Sequence, residues 1–170
     1  GLSSVLGDGV VITGGLAGDG ALFTKTLVVA NAQAKSGQVV AIGFRGAELL
    51  VGHGSAGGWD NFGPRREITG SDGNVLKGLD GMPALQLYKS YLGPEAEGLP
   101  GTALLYPLMI CDPARPDHTV VRTVLSVDHE KSTMTFAGDI PQGWTAQLMR
   151  GHFDNLAEGA ASAARAAVID

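Results

Sequence analysis

Residues 120–136 read Val-Val-Arg-Thr-Val-Leu-Ser-Val-Asp-His-Glu-Lys-Ser-Thr-Met-Thr-Phe. Val120, Arg122, Val124 and Ser126 alternate with Val121, Thr123, Leu125 and Val127, the period-two pattern of a strand with two different faces. Asp128 to Ser132 supply a polar turn, and Thr133-Met134-Thr135-Phe136 supply the return strand. The stretch therefore predicts a β-hairpin. Upstream, 38–44 and 48–51 flank Arg45-Gly46-Ala47 and predict a second hairpin with a glycine-containing loop, the clearest pairing in the chain. Shorter apolar runs at Val10–Ile12, Thr26–Val29, Arg66–Thr69, Val75–Leu79 and Thr145–Met149 add strands, Val10–Ile12 reading as buried. The dense apolar run from Thr102 to Cys111 contains Pro107, which predicts an edge or interrupted strand. Pro83 suits the first position of a helix whose apolar stripe is Ala84, Leu85, Leu87, Tyr88, Tyr91 and Leu92, with Gly93 as its stop. A second helix is expected from Asp154 to Ile169, with Leu156, Ala160, Ala163, Ala164, Ala167 and Val168 on one side. The expectation is an α+β fold, about nine short antiparallel or mixed strands with hairpins packed against two helices.

Composition agrees with a packed chain. Of 170 residues, 44% are hydrophobic and 17% charged, enough apolar surface to offset the entropy of ordering. Glycine contributes 26 residues, of which nineteen fall within positions 1–81, so turns are concentrated in the first half. The net charge is −5 and the basic residues are scattered. Arg65-Arg66, the only adjacent basic pair, reads as an exposed loop pair, and nucleic acid is not an expected partner. No run of 18 apolar residues and no basic-then-apolar leader is read, so the expectation is a cytoplasmic chain without membrane insertion. The chain begins Gly1-Leu2-Ser3 without an initiator Met and ends within an Ala-rich helical pattern, which reads as a piece of a longer polypeptide.

Two glycine-rich stretches invite chemistry. Gly52-His53-Gly54-Ser55-Ala56-Gly57 matches GxGxxG, but Gly58-Trp59-Asp60-Asn61-Phe62-Gly63-Pro64 follows where a dinucleotide site needs a helix. Residues 52–64, with five glycines and a proline, are expected to be irregular, and Trp59 and Phe62 there either plug the core or line a pocket. Gly14-Gly15-Leu16-Ala17-Gly18-Asp19-Gly20 is either a plain glycine turn or a nest of N–H groups for an anion. Ser55 lacks the GxSxG elbow, and Cys111 sits beside Asp112, which disfavours a thiolate, so a hydrolase using Ser55 or Cys111 has little support. A single cysteine allows neither an intrachain disulfide nor a cysteine-rich zinc site. His53, His118, His129 and His152 show no metal-ligand spacing, and no metal site is expected. His129 reads as solvated, and His118 as opening a strand. His53, ending a strand in the glycine-rich loop, is the one placed to reach a ligand or a haem iron.

Several segments in this order resemble the FIST (F-box and intracellular signal transduction) sensory domain family. They are Gly14-Gly15-Leu16-Ala17-Gly18-Asp19, the stretch 39–51, Gly58-Trp59 with Phe62-Gly63-Pro64, Ile68-Thr69, and Gly73-Asn74-Val75-Leu76. Leu79-Asp80-Gly81-Met82-Pro83-Ala84, Tyr88, Pro107-Leu108, Val121-Arg122-Thr123-Val124 and 136–143 continue the set. The resemblance implies a non-enzymatic, small-molecule-binding sensory domain, its ligand proposed to be an amino acid, working with downstream signalling proteins or domains. It implies, as the alternative, a haem-binding nitric-oxide sensor with His53 as axial ligand. The chain is expected to cover mainly the later part of the N-terminal FIST region, with 1–151 as the sensory domain. Residues 152–170 would be a helix leading toward a C-terminal domain that is largely absent.

The candidate ligand-binding residues are Gly15, Asp19, His53, Trp59, Thr69 and Arg122. An amino-acid carboxylate needs an arginine, here Arg122, or backbone N–H groups. Its ammonium needs an acid such as Asp19, and Trp59 offers an apolar or cation–π wall. No cofactor is required on this reading, whereas the haem reading adds one. A purely structural interaction domain would instead show no pocket and a large apolar patch.

Overall fold

The computed structural model describes residues 2–7, 9–20, 22–117 and 119–168. His118 and Ile169, placed above in a strand and a helix, lie outside them. The chain divides into two units, residues 1–55 with 162–170 and residues 56–161.

The first unit holds the short helix α1 (Leu2–Leu6) and an antiparallel hairpin of β1 (Val28–Ala30) and β2 (Gln33–Lys35). Asn31 and Ala32 join the two strands with φ of 50° and 62°, the doubly left-handed turn that matches strand twist. The expected strand at Val10–Ile12 is irregular and exposed. The expected hairpin through 38–51 is also absent; what remains is a turn closed by Leu49 N–H donating to the Gly46 carbonyl at 3.4 Å. Val39, Ile42, Phe44 and Leu50 stay 75–82% exposed. The pattern was right for a hairpin, but two isolated strands are marginal in water without a surface to pack on. Among the described residues, every buried large hydrophobic lies between Ile68 and Met149, so this unit provides no such surface of its own.

The second unit contains β3 (Trp59–Asp72), β4 (Val75–Leu79), β5 (Met82–Pro83) and α2 (Ala84–Leu92). Two 3₁₀ turns follow at Gly93–Gly98 and Gly101–Leu105. Then come β6 (Leu108–Cys111), β7 (Thr119–Arg122), β8 (Val124–Asp128), β9 (Thr133–Phe136) and β10 (Thr145–Gly151). Helix α3 (Phe153–Ala166) follows. The strand order is β7-β6-β10-β3-β4-β9-β8, with β5 paired to β4, and every ladder is antiparallel. The α+β class is therefore as expected.

β7 and β8 stand at opposite ends of that order, yet Thr123 alone separates them in sequence. Cα atoms two residues apart are within about 7.6 Å, so the sheet curls until its outer strands meet. Its interior is filled by alternate residues Met134 and Phe136, Ala146 and Leu148, Leu108 and Ile110, with Ile68 and Val124, and by Leu76 and Leu79, three apart where the β3–β4 register shifts. α2 packs on this core through Ala84, Leu85, Leu87, Tyr88 and Leu92, the stripe read from the sequence. Asp128 makes the β8–β9 turn by accepting the N–H groups of Glu130 and Lys131, each at 3.0 Å.

Two expectations about proline change. β6 is not an edge strand: it lies between β7 and β10 with all four residues buried. Pro107 precedes its first residue, where no ladder N–H is needed, and its carbonyl accepts from Met149 N–H at 2.9 Å. Residues 59–64 are likewise strand rather than loop. Between Asn61, opposite Met149, and Arg65, opposite Gln147, β3 has two more residues than β10. That bulge accommodates Phe62, Gly63 at φ +80° and Pro64, and Gln147 Nε2 closes it on the Gly63 carbonyl at 2.7 Å. The glycines just before β3 permit a backbone approach. A Cβ on Gly58 would overlap the backbone of Asn155 and Leu156, and one on Gly159 would stand 2.7 Å from the Gly57 carbonyl oxygen.

Candidate ligand-binding site

Inside the curled sheet, Pro64, Arg66, Leu79, Tyr88, Tyr91, Leu108, Ala146 and Leu148 enclose a cavity of about 20 Å³. That is space for roughly one water-sized group. Its walls come from β3, β4, β6, β10 and α2, and Arg66 is its cation. The period of β3 explains why: Arg66 shares a face with buried Ile68, while Arg65 and Glu67 point outward and are exposed. Arg66 keeps 34% of its side chain exposed, so it stands at the rim.

All three nitrogens of the guanidinium are engaged. Nε and Nη2 both donate to the Tyr91 hydroxyl oxygen, at 3.0 and 2.6 Å, and Nη1 donates to Asp80 Oδ2 at 2.9 Å. The guanidinium carbon is 5.9 Å from the centre of the Tyr91 ring, within cation–π range. The other oxygen of Asp80 accepts the Glu67 N–H at 2.7 Å. That backbone bond first, and the Arg66 guanidinium second, hold the Asp80 carboxyl below the usual carboxylate range. The hydroxyl of Tyr91 and the carboxylate of Asp80 reciprocally favour the charged form of Arg66.

Local sequence builds this arrangement. Asp80 and Gly81 have φ of 49° and 76°, the Asp-Gly hairpin turn between β4 and β5. The turn sits against β3 through the Asp80 N–H to Glu67 carbonyl bond at 2.9 Å, and Thr69 Oγ1 accepts the Gly81 N–H at 2.9 Å. Deeper in the cavity, buried Tyr88 donates its hydroxyl to the Tyr106 carbonyl at 2.7 Å, and burial pushes its phenol well above the ordinary value.

Of the six residues expected at a ligand, Thr69 is thus beside this site, as the support of the Asp80-Gly81 turn. Trp59 opens β3 at its far end; its indole Nε1 is buried with no acceptor among the described residues. Arg122 closes β7, where Nε donates to the Asp139 carbonyl at 2.8 Å and the guanidinium lies over Gly138. Gly15, Asp19 and His53 belong to the other unit. Gly15 and His53 are exposed in irregular chain. The Asp19 carboxylate accepts the N–H groups of Lys25 at 2.9 Å, Thr24 at 2.7 Å and Phe23 at 3.2 Å, which lower its pKa. Residues 23–25 therefore form an anion nest whose occupant is the chain's own Asp19.

Ser55 is exposed in irregular chain, and Cys111 is buried on β6 with its thiol directed at the Pro116 carbonyl, 3.4 Å away. His129 is exposed in the β8–β9 turn, as expected. Among the described residues, no group of three or more His, Cys, Asp or Glu side chains is arranged for a metal ion. No helix among them is long and apolar enough to cross a membrane.

Arg66, Asp80 and Tyr91 were missed as site residues. Beside Pro64 and Arg65, Arg66 reads as half of an exposed loop pair, and only the period of β3 puts its side chain on the face of buried Ile68. Asp80-Gly81 between Leu79 and Met82 is a strong local hairpin signal, and it would have placed the Asp80 carboxylate beside the preceding strand.

Comparison with known families matches the FIST N domain over residues 1–82 and the FIST C domain over residues 84–169. This corrects the expectation that the chain covers mainly the later part of the N-terminal region. The cavity draws on both segments: Pro64, Arg66 and Leu79 from the first, Tyr88, Tyr91, Leu108, Ala146 and Leu148 from the second. Neither a curated protein nor a solved structure matches the chain significantly. With both family segments matched along its length, the chain belongs to the FIST family of signal-transduction sensory domains.

Proposed function

We propose that this protein is a non-enzymatic sensory domain that binds a small molecule, an amino acid, and passes the binding event to downstream signalling proteins or domains. The observation that carries this reading is the cavity under Arg66. It is apolar on most sides, carries a single cation with an acid beside it, and joins strands of the FIST N segment to strands and a helix of the FIST C segment. A ligand that changes the contacts of such a cavity changes how the two segments share one sheet. That is the physical requirement for a sensor, a differential interaction with two arrangements of the same chain. In this reading the carboxylate partner is Arg66, which lines the cavity, rather than Arg122, which does not.

Calorimetric titration of the intact protein with a panel of the common amino acids tests it. Saturable one-to-one binding of at least one amino acid is expected. A panel without binding heat, at temperatures that rule out a zero-enthalpy coincidence, would overturn the reading.

A further inference from the structure

We infer that the Nε/Nη2 edge of Arg66 is the carboxylate subsite for an α-amino acid with a small side chain, and that the Tyr91 hydroxyl is the internal group this carboxylate displaces. The inference rests on the sensory reading above and assigns its ligand class and atoms.

The Nε/Nη2 edge of a guanidinium is a rigid fork that matches the two oxygens of a carboxylate. Here both donors converge on one neutral phenol oxygen, at 3.0 and 2.6 Å. Tyr91 thus offers one uncharged acceptor where a carboxylate offers two charged ones, and a bidentate carboxylate gives each donor its own oxygen and adds the attraction of opposite charges. Tyr91 is only half-buried, near the C-terminal end of α2, so its ring has solvent to move toward.

Asp80 occupies Nη1, away from the fork, and stays in place through the Glu67 N–H. It does two things for a ligand. It fixes the plane of the guanidinium, and it leaves a negative charge next to the position of the bound carboxylate. A simple monocarboxylate is repelled by that charge, whereas the ammonium of an amino acid offsets it. The electrostatics therefore favour a zwitterion over a carboxylic acid or an amide.

The cavity sets the side chain. About 20 Å³ between Leu79, Leu108, Ala146 and Leu148 receives a methyl-sized group, and it does not receive a leucine side chain without repacking the sheet. Glycine, alanine and serine are the sizes that fit. Displacement of Tyr91 would then carry the signal into α2, the helix that spans the core through Leu85, Leu87 and Tyr88.

Titrations of the intact protein with L-alanine, propionate, L-alaninamide and L-leucine, on wild type, Arg66→Gln and Tyr91→Phe, test this. L-alanine is expected to bind wild type at least roughly tenfold tighter than the other three, from the charged hydrogen bonds each of them lacks or the size it exceeds. Arg66→Gln should lose at least roughly tenfold for L-alanine. Tyr91→Phe, which removes the competing hydroxyl and keeps the charge, should bind L-alanine more tightly than wild type. A merely structural Tyr91 would give equal or weaker binding, and that result overturns the displacement even if Arg66→Gln fails to fold. If amino acids bind with the same affinity to wild type and Arg66→Gln, the subsite is wrong and the sensory reading stands. If no amino acid binds wild type, both fall.

Discussion

Replacing Tyr88 tests how the core under the site is held. Its side chain is 2% exposed, it lines the cavity, and its hydroxyl is the donor to the Tyr106 carbonyl. Tyr88→Phe keeps the ring and removes one hydrogen bond, leaving a carbonyl that the core keeps from water, at about 1–3 kcal/mol. Tyr88→Ala removes the ring from a packed interior and enlarges the existing void, at about 3–5 kcal/mol. For a chain of this size roughly 2–4 °C of Tm accompanies each kcal/mol, so about 2–12 °C is expected for Phe and about 6–20 °C for Ala. Differential scanning calorimetry, with urea denaturation as a check, reads both. The hydroxyl adds a pH signature. Burial raises the folded-state pKa above the unfolded value near 10, so the neutral phenol stabilises the fold fully below about pH 10 and that contribution fades as pH rises toward the folded pKa. The wild-type Tm should fall more steeply above pH 10 than that of Tyr88→Phe. An alanine variant that melts within a degree or two of wild type, or parallel alkaline limbs, would refute the packing argument.

The remaining predictions concern other links in the same unit. Asp80 titrates below its ordinary value in the folded state, so its stabilising contribution is complete above about pH 4 and is lost as the pH falls through the folded pKa. Asp80→Asn should therefore flatten the acid limb of the Tm profile, and an unchanged limb would contradict the Glu67 and Arg66 contacts. Gly58→Ala should cost at least about 1–3 kcal/mol in denaturant titration, because the new methyl meets the backbone of α3 rather than a side chain that can turn away. Cys111, 3% exposed, should react with a thiol reagent only as fast as the sheet opens, and immediate labelling of the folded protein would show that β6 is not buried.

Local patterns carried much of the second unit. Val75–Leu79 became β4 with the same bounds, Pro83 precedes α2 and Gly93 ends it, and the Asp128–Ser132 turn joins β8 to β9. Closure of the sheet was not legible. It depends on β7 pairing with β6 while β8 pairs with β9, a choice made by long-range register at Thr123 and not by any property of that residue. The bulge at 62–64 was hidden for a similar reason: glycine and proline argue against a strand until a partner strand is known to be two residues shorter there. The site was legible in part. The need for an arginine follows from ligand chemistry, but residue type alone does not tell Arg66 from Arg122. Arg66 is marked out by Asp80 and Tyr91, 14 and 25 residues further along, which converge on it only in the folded chain. The hairpin expected at 38–51 shows the reverse error, because alternation describes what a strand could bury and not whether a surface is present to bury it.

A crystal structure of the protein grown with L-alanine tests the central claim most directly. The account predicts the amino acid at the rim of the cavity, its carboxylate at about 2.7–2.9 Å from Arg66 Nε and Nη2, and the Tyr91 hydroxyl displaced from both. An Arg66–Tyr91 pair left intact, with the amino acid bound elsewhere or not at all, would contradict it.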